Sequence, residues 1–558
     1  MLARYRPEVR RAAAIPLALA VAAWLLYGSV LRLWWTGDDF FHLRYQLTHR
    51  TLWYFFDASG YRDFPSKLLT PLLFLSLDVD RWLFGLEPRP FYLHQLLSLS
   101  LCPTALYGVL RLWLARSWSA AGAWLFLIGP VTASLALVLA HHYVETILLC
   151  ALAAAAWAGA LRRAPAARAW SLAWVSAALY FAACMMKEIA VPLAAILPFL
   201  PPPAGSPHAV LRDRLRLALP HAGVAVLYLA IRYAVLGTLF GGYGFVVTPS
   251  DLPSLILELP GKLALQIVGG RLSLAGILFG IALATGILAL LLMRGLRTAA
   301  LVGFALILAA IPALPVSTRM EPRYALPVWL VVAVAFAAGC RTLAAARRWA
   351  GASLALVACV SGLWLNRQDW SVRFGTSEQM SAENRFFLNM KKGDVLRQPL
   401  TLAASLKELA GLKQTVFHRP PGGGWFQDDL YLCVHRGPLG RVWGWDPAAR
   451  RVVDLTEQIP VLRERHCSSI RAAAPLNARF RFSGEDLFWD LGPYREGTYR
   501  FVLADGVEAY DMQRRAAFKI GRIGVLPLRI EYESPAGWIA YSPELRLREG
   551  TSLRWSRP

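Results

Sequence analysis

Charge is scarce in this sequence. Asp, Glu, Lys and Arg make up 17% of its 558 residues, against 56% hydrophobic residues. Soluble domains carry about a quarter charged residues, so the composition excludes a wholly soluble fold and assigns the apolar residues to membrane spans. Acids are the scarcer sign, with 36 Asp and Glu against 59 Lys and Arg. The resulting net charge of +23 does not mark a nucleic-acid binder. Its basic residues lie in short loops between apolar segments rather than along one face. Metal-type cysteine spacing is absent. Five of the seven cysteines (Cys102, Cys150, Cys184, Cys340 and Cys359) sit in apolar segments and read as inert packing residues. Cys433 and Cys467 lie in a polar region and are a disulfide pair only if that region faces an oxidising compartment. Internal repeats and long low-complexity tracts are also lacking.

Long apolar runs are plentiful. A spanning helix needs about 20 apolar residues. Eleven stretches qualify or nearly so: residues 13–34, 91–114, 117–139, 144–161, 170–186, 189–200, 215–236, 272–293, 299–314, 324–339 and 350–365. The first follows Arg4, Arg6, Arg10 and Arg11, is too long for a signal-peptide core, and reads as a retained signal anchor. Every second loop is basic, from this N-terminal cluster through Arg162 and Arg163 to Arg347 and Arg348. The positive-inside rule makes these loops cytoplasmic. An odd number of spans then puts the C-terminus outside. Stretches 67–86 and 255–270 carry charges within them and are expected as helices lying at the outer surface; 40–56 reads as an amphipathic interfacial helix.

The expected fold is an α-helical polytopic membrane protein with a C-terminal β-rich soluble domain. Residues 1–366 form the membrane module, with external loops 35–90 and 237–271, and 367–558 the soluble domain. Alternating residues over 478–482, 498–503 and 525–532 point to an antiparallel β-sandwich. The Ala- and Arg-rich composition suggests a bacterial inner membrane with a periplasmic C-terminal domain.

Four polar groups fall on the outer side of this topology. Asp38 and Asp39 directly follow the first span; an Asp there is a general base for an incoming hydroxyl, or else a helix cap. His141, His142 and Glu145 begin the fourth span and share a helical face. They suit a divalent cation, or are ordinary polar residues at a helix end. Lys187 and Glu188 precede a stretch of only a dozen apolar residues interrupted by Pro192 and Pro198, so they lie below the membrane surface. Ionisable residues at that depth mark function, the alternative being a buried structural ion pair. Arg319, Glu321, Arg323 and Tyr324 precede the tenth span. Arginine forks suit phosphate oxygens, and also anchor helices at interfaces. Tyr243 belongs to an external loop that either covers the site or is simply flexible.

Taken in order, these pieces resemble the GT-C superfamily of membrane glycosyltransferases, which includes protein O-mannosyltransferases, TMTC-type mannosyltransferases and lipid A aminoarabinose transferases. The elements are Gly37-Asp38-Asp39-Phe40, Tyr61-Arg62, Gly85-Leu86-Glu87-Pro88 with His94, Lys187-Glu188 with Pro192, and Arg323-Tyr324 with Pro327. The resemblance covers most of the membrane region and none of the soluble domain. It implies a polyprenyl-phosphate-linked sugar donor, inverting transfer at the outer face, and a catalytic base at Asp38 or Asp39. Lys187, Arg319, Arg323 and Tyr324 would hold the donor phosphate, and His141, His142, Glu145 and Glu188 would support it, with or without a divalent metal cation. The acceptor is a protein, lipid or glycan. The competing reading is a transporter or flippase of lipid-linked sugars. It is weakened by the missing repeat symmetry and by polar groups gathered at one face.

Overall fold

The computed structural model describes residues 2–63, 68–137, 139, 141–163, 167–203, 206, 210–239, 252–270, 273–483, 486–519 and 524–558, with only the backbone of residues 2–12, 52, 62, 63, 167, 252, 254, 255, 318, 319, 483 and 519. Tyr243 lies outside the described residues. The chain forms two compact units, one of residues 1–33, 49–243 and 249–374, the other of residues 34–48, 244–248 and 375–558.

The first unit is a helical membrane bundle. Among the described residues nine helices are long and apolar enough to span a bilayer, or ten if one bent pair counts as a single span. Eleven were expected, and two stretches account for the difference. Residues 189–200 form short turns (Glu188–Ala190, Leu193–Ile196 and Leu197–Phe199), because Pro192 and Pro198 cannot continue a helical hydrogen-bond ladder. Residues 117–139 break between Arg116–Ile128 and Pro130–Ala136, with a 58° bend. Proline again removes a donor at this break. The freed Phe126 carbonyl accepts from Thr132 Oγ1 at 2.5 Å and from Trp329 Nε1 at 3.2 Å. Interrupted backbone at membrane depth requires such internal partners. Gly129 makes room for the indole, since a Cβ there would lie 2.4 Å from the Trp329 ring.

Helices Leu274–Arg294 and Leu326–Ala346 cross so closely that a Cβ on Gly339 would stand 1.9 Å from the Gly286 carbonyl oxygen. Tyr27 ties three segments together, donating to the Leu127 carbonyl at 2.7 Å and accepting from Asn366 Nδ2 at 2.8 Å. The expected surface helix is Pro71–Phe84, but its acids do not face solvent: Asp78 and Asp80 are both buried. The interfacial helix expected over 40–56 is two pieces, Asp39–Thr48 and Thr51–Phe55. The last apolar run does not end where hydropathy falls. Helix Arg348–Asn389 continues unbroken through the expected boundary at residue 366.

The second unit holds two folded parts. The first is mixed α/β, with strands β1 (Val395–Arg397), β2 (Gly424–Phe426), β3 (Val442–Asp446) and β4 (Arg451–Asp454) in the order β2-β1-β3-β4. Here β1 runs parallel to β2 and β3. The Cys433–Cys467 disulfide joins its helices Leu430–Val434 and Ile459–Ser469.

The second part is the expected sandwich. Its strands are β5 (Leu476–Ser483), β6 (Asp486–Gly492), β7 (Thr498–Leu503), β8 (Glu508–Met512), β9 (Arg515–Lys519), β10 (Val525–Glu533), β11 (Ile539–Tyr541), β12 (Leu545–Arg548) and β13 (Ser552–Arg557). One sheet has the order β13-β5-β6-β9 and the other β11-β10-β7-β8, with β12 also on β10. Alternation buries Phe480, Trp489, Phe501 and Ile530 between them. The α/β part packs on the second sheet: Tyr541 donates to Asp428 at 2.8 Å, and the Ala509 amide donates to Gln427 Oε1 at 3.1 Å.

Candidate active site

Helix Pro71–Phe84 carries two acids with different surroundings. Asp78 accepts from Thr51 Oγ1 at 2.5 Å, Tyr54 at 3.0 Å and Arg81 Nε at 3.2 Å, which fully occupies it as a brace. Asp80 and Ser76, four residues apart, share another face of the helix. His141 and Glu145, also four apart, begin helix His141–Arg163, and His94 comes from helix Pro88–Leu110.

These five residues meet. His94 Nδ1 lies 3.0 Å from the Asp80 carboxylate and its Nε2 lies 3.5 Å from Glu145 Oε1. His141 Nε2 lies 3.8 Å from Asp80 and its Nδ1 3.7 Å from Glu145. Ser76 donates to Glu145 at 2.7 Å and stands 3.1 Å from His141 Nδ1.

Ligand atoms of Asp80, His94 and His141 all lie within 4.8 Å of one another. Two imidazoles with carboxylates fit a divalent ion of the zinc or manganese kind better than the all-oxygen shells of calcium or magnesium. Of the four residues expected to support a cation, the structure brings His141 and Glu145 to this cluster. His142 instead lies with its ring 4.5 Å from that of Tyr143, and Glu188 pairs with Lys187.

A cationic group lies in the same helical unit. Helix Ala167–Met186 ends at Lys187, whose backbone is extended (φ −159°, ψ 133°). The Lys187 side chain is 1% exposed. Its Nζ is 3.6 Å from Glu188 Oε1 and 5.1 Å from the Tyr143 ring centre. Arg232 and Arg323 are close enough for their charges to act on it. Arg232 is buried and donates to the Leu239 carbonyl at 3.1 Å. Arg323 pairs with Glu321 at 2.9 Å and lies 5.3 Å from the Tyr324 ring centre. Three cations and the carboxylates of Glu188 and Glu321 thus lie near one another, and guanidinium and ammonium groups of this kind suit phosphate oxygens.

Tyr61 is buried, with its ring 6.2 Å from that of Phe74. The side chains of Arg62 and Arg319 lie outside the described residues. Asp80, Ser76, Arg232 and Tyr143 were not singled out in the sequence. The available signal for Arg232 was an arginine standing inside an apolar run.

In the other unit, Asp38 is exposed and Asp39 buried at the start of helix Asp39–Thr48. The Asp38 carbonyl accepts from the Phe41 amide at 3.1 Å. Asp39 Oδ2 accepts from the Thr36 amide at 2.7 Å and lies 3.4 Å from its hydroxyl. Burial pushes the Asp39 carboxyl up from 3.8 to about 7, against the pull of the Thr36 amide, and the neighbouring Asp38 adds to the rise. This segment is held within its own unit: Arg44 pairs with Glu408 at 2.6 Å, and the Trp34 amide donates to Ser381 at 2.6 Å.

No family model matches the sequence, and no curated protein matches it. Among solved structures the chain is similar to the Archaeoglobus fulgidus oligosaccharyltransferase in complex with Zn and sulfate, at 12% identity and TM-score 0.41 over 84% of this chain and 72% of that one. It is also similar to the oligosaccharyltransferase AglB of that organism in complex with an inhibitory peptide and a dolichol-phosphate, at 12% identity and TM-score 0.41 over 89% and 74%. A third is ArnT from Cupriavidus metallidurans bound to undecaprenyl phosphate, at 15% identity and TM-score 0.41 over 78% and 93%. Likeness at this level assigns no activity, so the functional reading rests on the side chains.

Proposed function

We propose that this chain is a membrane glycosyltransferase that moves a sugar from a polyprenyl-phosphate-linked donor to a hydroxyl of a protein, lipid or glycan acceptor. The observation that carries the reading is the gathering of Lys187, Arg232 and Arg323, beside Glu188 and Glu321, at the ends of apolar helices. A lipid phosphate brings its charge to the membrane boundary and leaves its tail among apolar side chains. The ordered motifs shared with GT-C enzymes point the same way.

In this reading the acceptor oxygen attacks the anomeric carbon from the face opposite the phosphate. The bond from that carbon to the phosphate oxygen breaks, and its electron pair leaves on the phosphate, so configuration inverts. Exposed Asp38 takes the acceptor proton, and buried Asp39 fixes the turn that presents it. Lys187, Arg232 and Arg323 offset the charge growing on the departing phosphate. Asp80, His94, His141 and Glu145 would hold a divalent ion, which when bound supplies Lewis-acid stabilisation of phosphate oxygens. The Ala- and Arg-rich composition supports a bacterial inner membrane, the basic loops support an external, periplasmic C-terminal region, and the Cys433–Cys467 disulfide suits that oxidising side.

Mass spectrometry of envelope lipids, glycans and proteins with and without the gene would identify the sugar and acceptor. With these in hand, Asp38→Asn should lower turnover by about 10²–10⁴-fold, the usual contribution of a positioned base. Lys187→Ala should weaken donor use while sparing acceptor binding. Full activity in Asp38→Asn would remove the base assignment, and unchanged donor kinetics in Lys187→Ala would remove the phosphate site.

A further inference from the structure

The two sheets of the sandwich have different outer faces. The β11-β10-β7-β8 sheet is covered by the α/β part, whereas the β13-β5-β6-β9 sheet turns Arg479, Arg481, Arg515 and Arg554 outward and exposed. Strand register aligns them. Arg554 lies opposite Arg479, Arg479 opposite Asp490, and Asp490 opposite Arg515, forming one row across four strands. Arg481 lies opposite Phe488, with its guanidinium carbon 4.8 Å from the centre of that ring.

Asp490 is committed to Arg515 at 2.9 Å. Among the described residues Arg479, Arg481 and Arg554 form no ion pair. Like charges directly opposite one another destabilise a sheet, so the Arg479–Arg554 pair is a cost, eased only from one side by Asp490, which lies opposite Arg479 while pairing with Arg515.

We propose that this face binds an acidic polysaccharide. Strands are about 4.8 Å apart, so the row runs roughly 14 Å across a nearly flat surface. That shape suits a linear polymer carrying a carboxylate on successive sugars, and guanidinium forks match carboxylates. A bilayer is a poorer partner. The ring of Phe488 is covered by Arg481 instead of being presented for insertion, and the charges lie on a flat face rather than at a loop tip. Binding here is separate from the transferase reading and is measured whether or not sugar transfer occurs.

The test uses the full chain in phosphatidylcholine nanodiscs, with alginate as the acidic polymer, dextran as the neutral one, and vesicles of phosphatidylcholine and phosphatidylglycerol as the membrane probe. Alginate should bind and dextran should not, with affinity falling as salt rises. R479Q/R554Q should weaken alginate binding by about tenfold or more, while R479K/R554K, which keeps the charge, retains most of it. The glutamine variant should melt no lower than the parent, because it relieves repulsion. Equal alginate binding by parent and R479Q/R554Q overturns the proposal. So does dextran binding as well as alginate, anionic vesicles binding where alginate does not, or R479Q/R554Q melting lower.

Discussion

Asp39 holds its proton unusually late, and this gives the protein a pH signature. The folded carboxyl titrates at about 7, against 3.8 ordinarily, because it is buried. Between those values the unfolded chain binds fewer protons than the folded one, so stability falls as pH rises. The contribution is fully present below about pH 4 and is lost through pH 7. Asp39→Asn should therefore flatten the decline in melting temperature between pH 4 and 7; an unchanged slope would show that Asp39 is not its source. Other residues were legible in proportion to how far they contradict their surroundings. Lys187 and Glu188 stand out because charge in an apolar stretch is costly. Asp80 did not, because an acid on a helix carrying other charges looks solvated until the fold buries it. His141 and Glu145 share a helical face that spacing alone reveals, but their partners Asp80 and His94 come from other helices.

At the scale of elements, the crossing of Leu274–Arg294 with Leu326–Ala346 is the tightest test of packing. Gly339→Val should lower the melting temperature in detergent, by the equivalent of about 1–3 kcal/mol or more, because overpacking must push backbone apart. A variant melting like the parent would mean that the helices are not in backbone contact. Spans are legible because twenty apolar residues leave few alternatives. Their interruptions are harder to read. Proline marks the breaks at Pro130 and Pro192, but the satisfaction of the Phe126 carbonyl depends on Trp329, some two hundred residues away. The β-sandwich was readable because β5, β7 and β10 alternate cleanly. The α/β part was not: β1 and β2 are three residues each, too short for a period of two to emerge. Helix Arg348–Asn389 hides its length in the same way, because polarity changes along it without any residue that stops it.

For the whole molecule, the disulfide and the membrane bundle govern separate stabilities. The bond closes a separation of 34 residues. By the loop-entropy estimate Cys433→Ser should cost the C-terminal region about 3–4 kcal/mol. Hydrogen exchange of residues 430–470 should rise in that variant while the bundle stays protected; equal protection throughout would mean that the bond constrains nothing.

The glycine seam in the bundle has a mechanical consequence. Two rods touching main chain to main chain through Gly286 and Gly339 can neither roll nor slide past each other unless one first backs away. Any rearrangement of the bundle must therefore treat this pair as a single beam and hinge elsewhere.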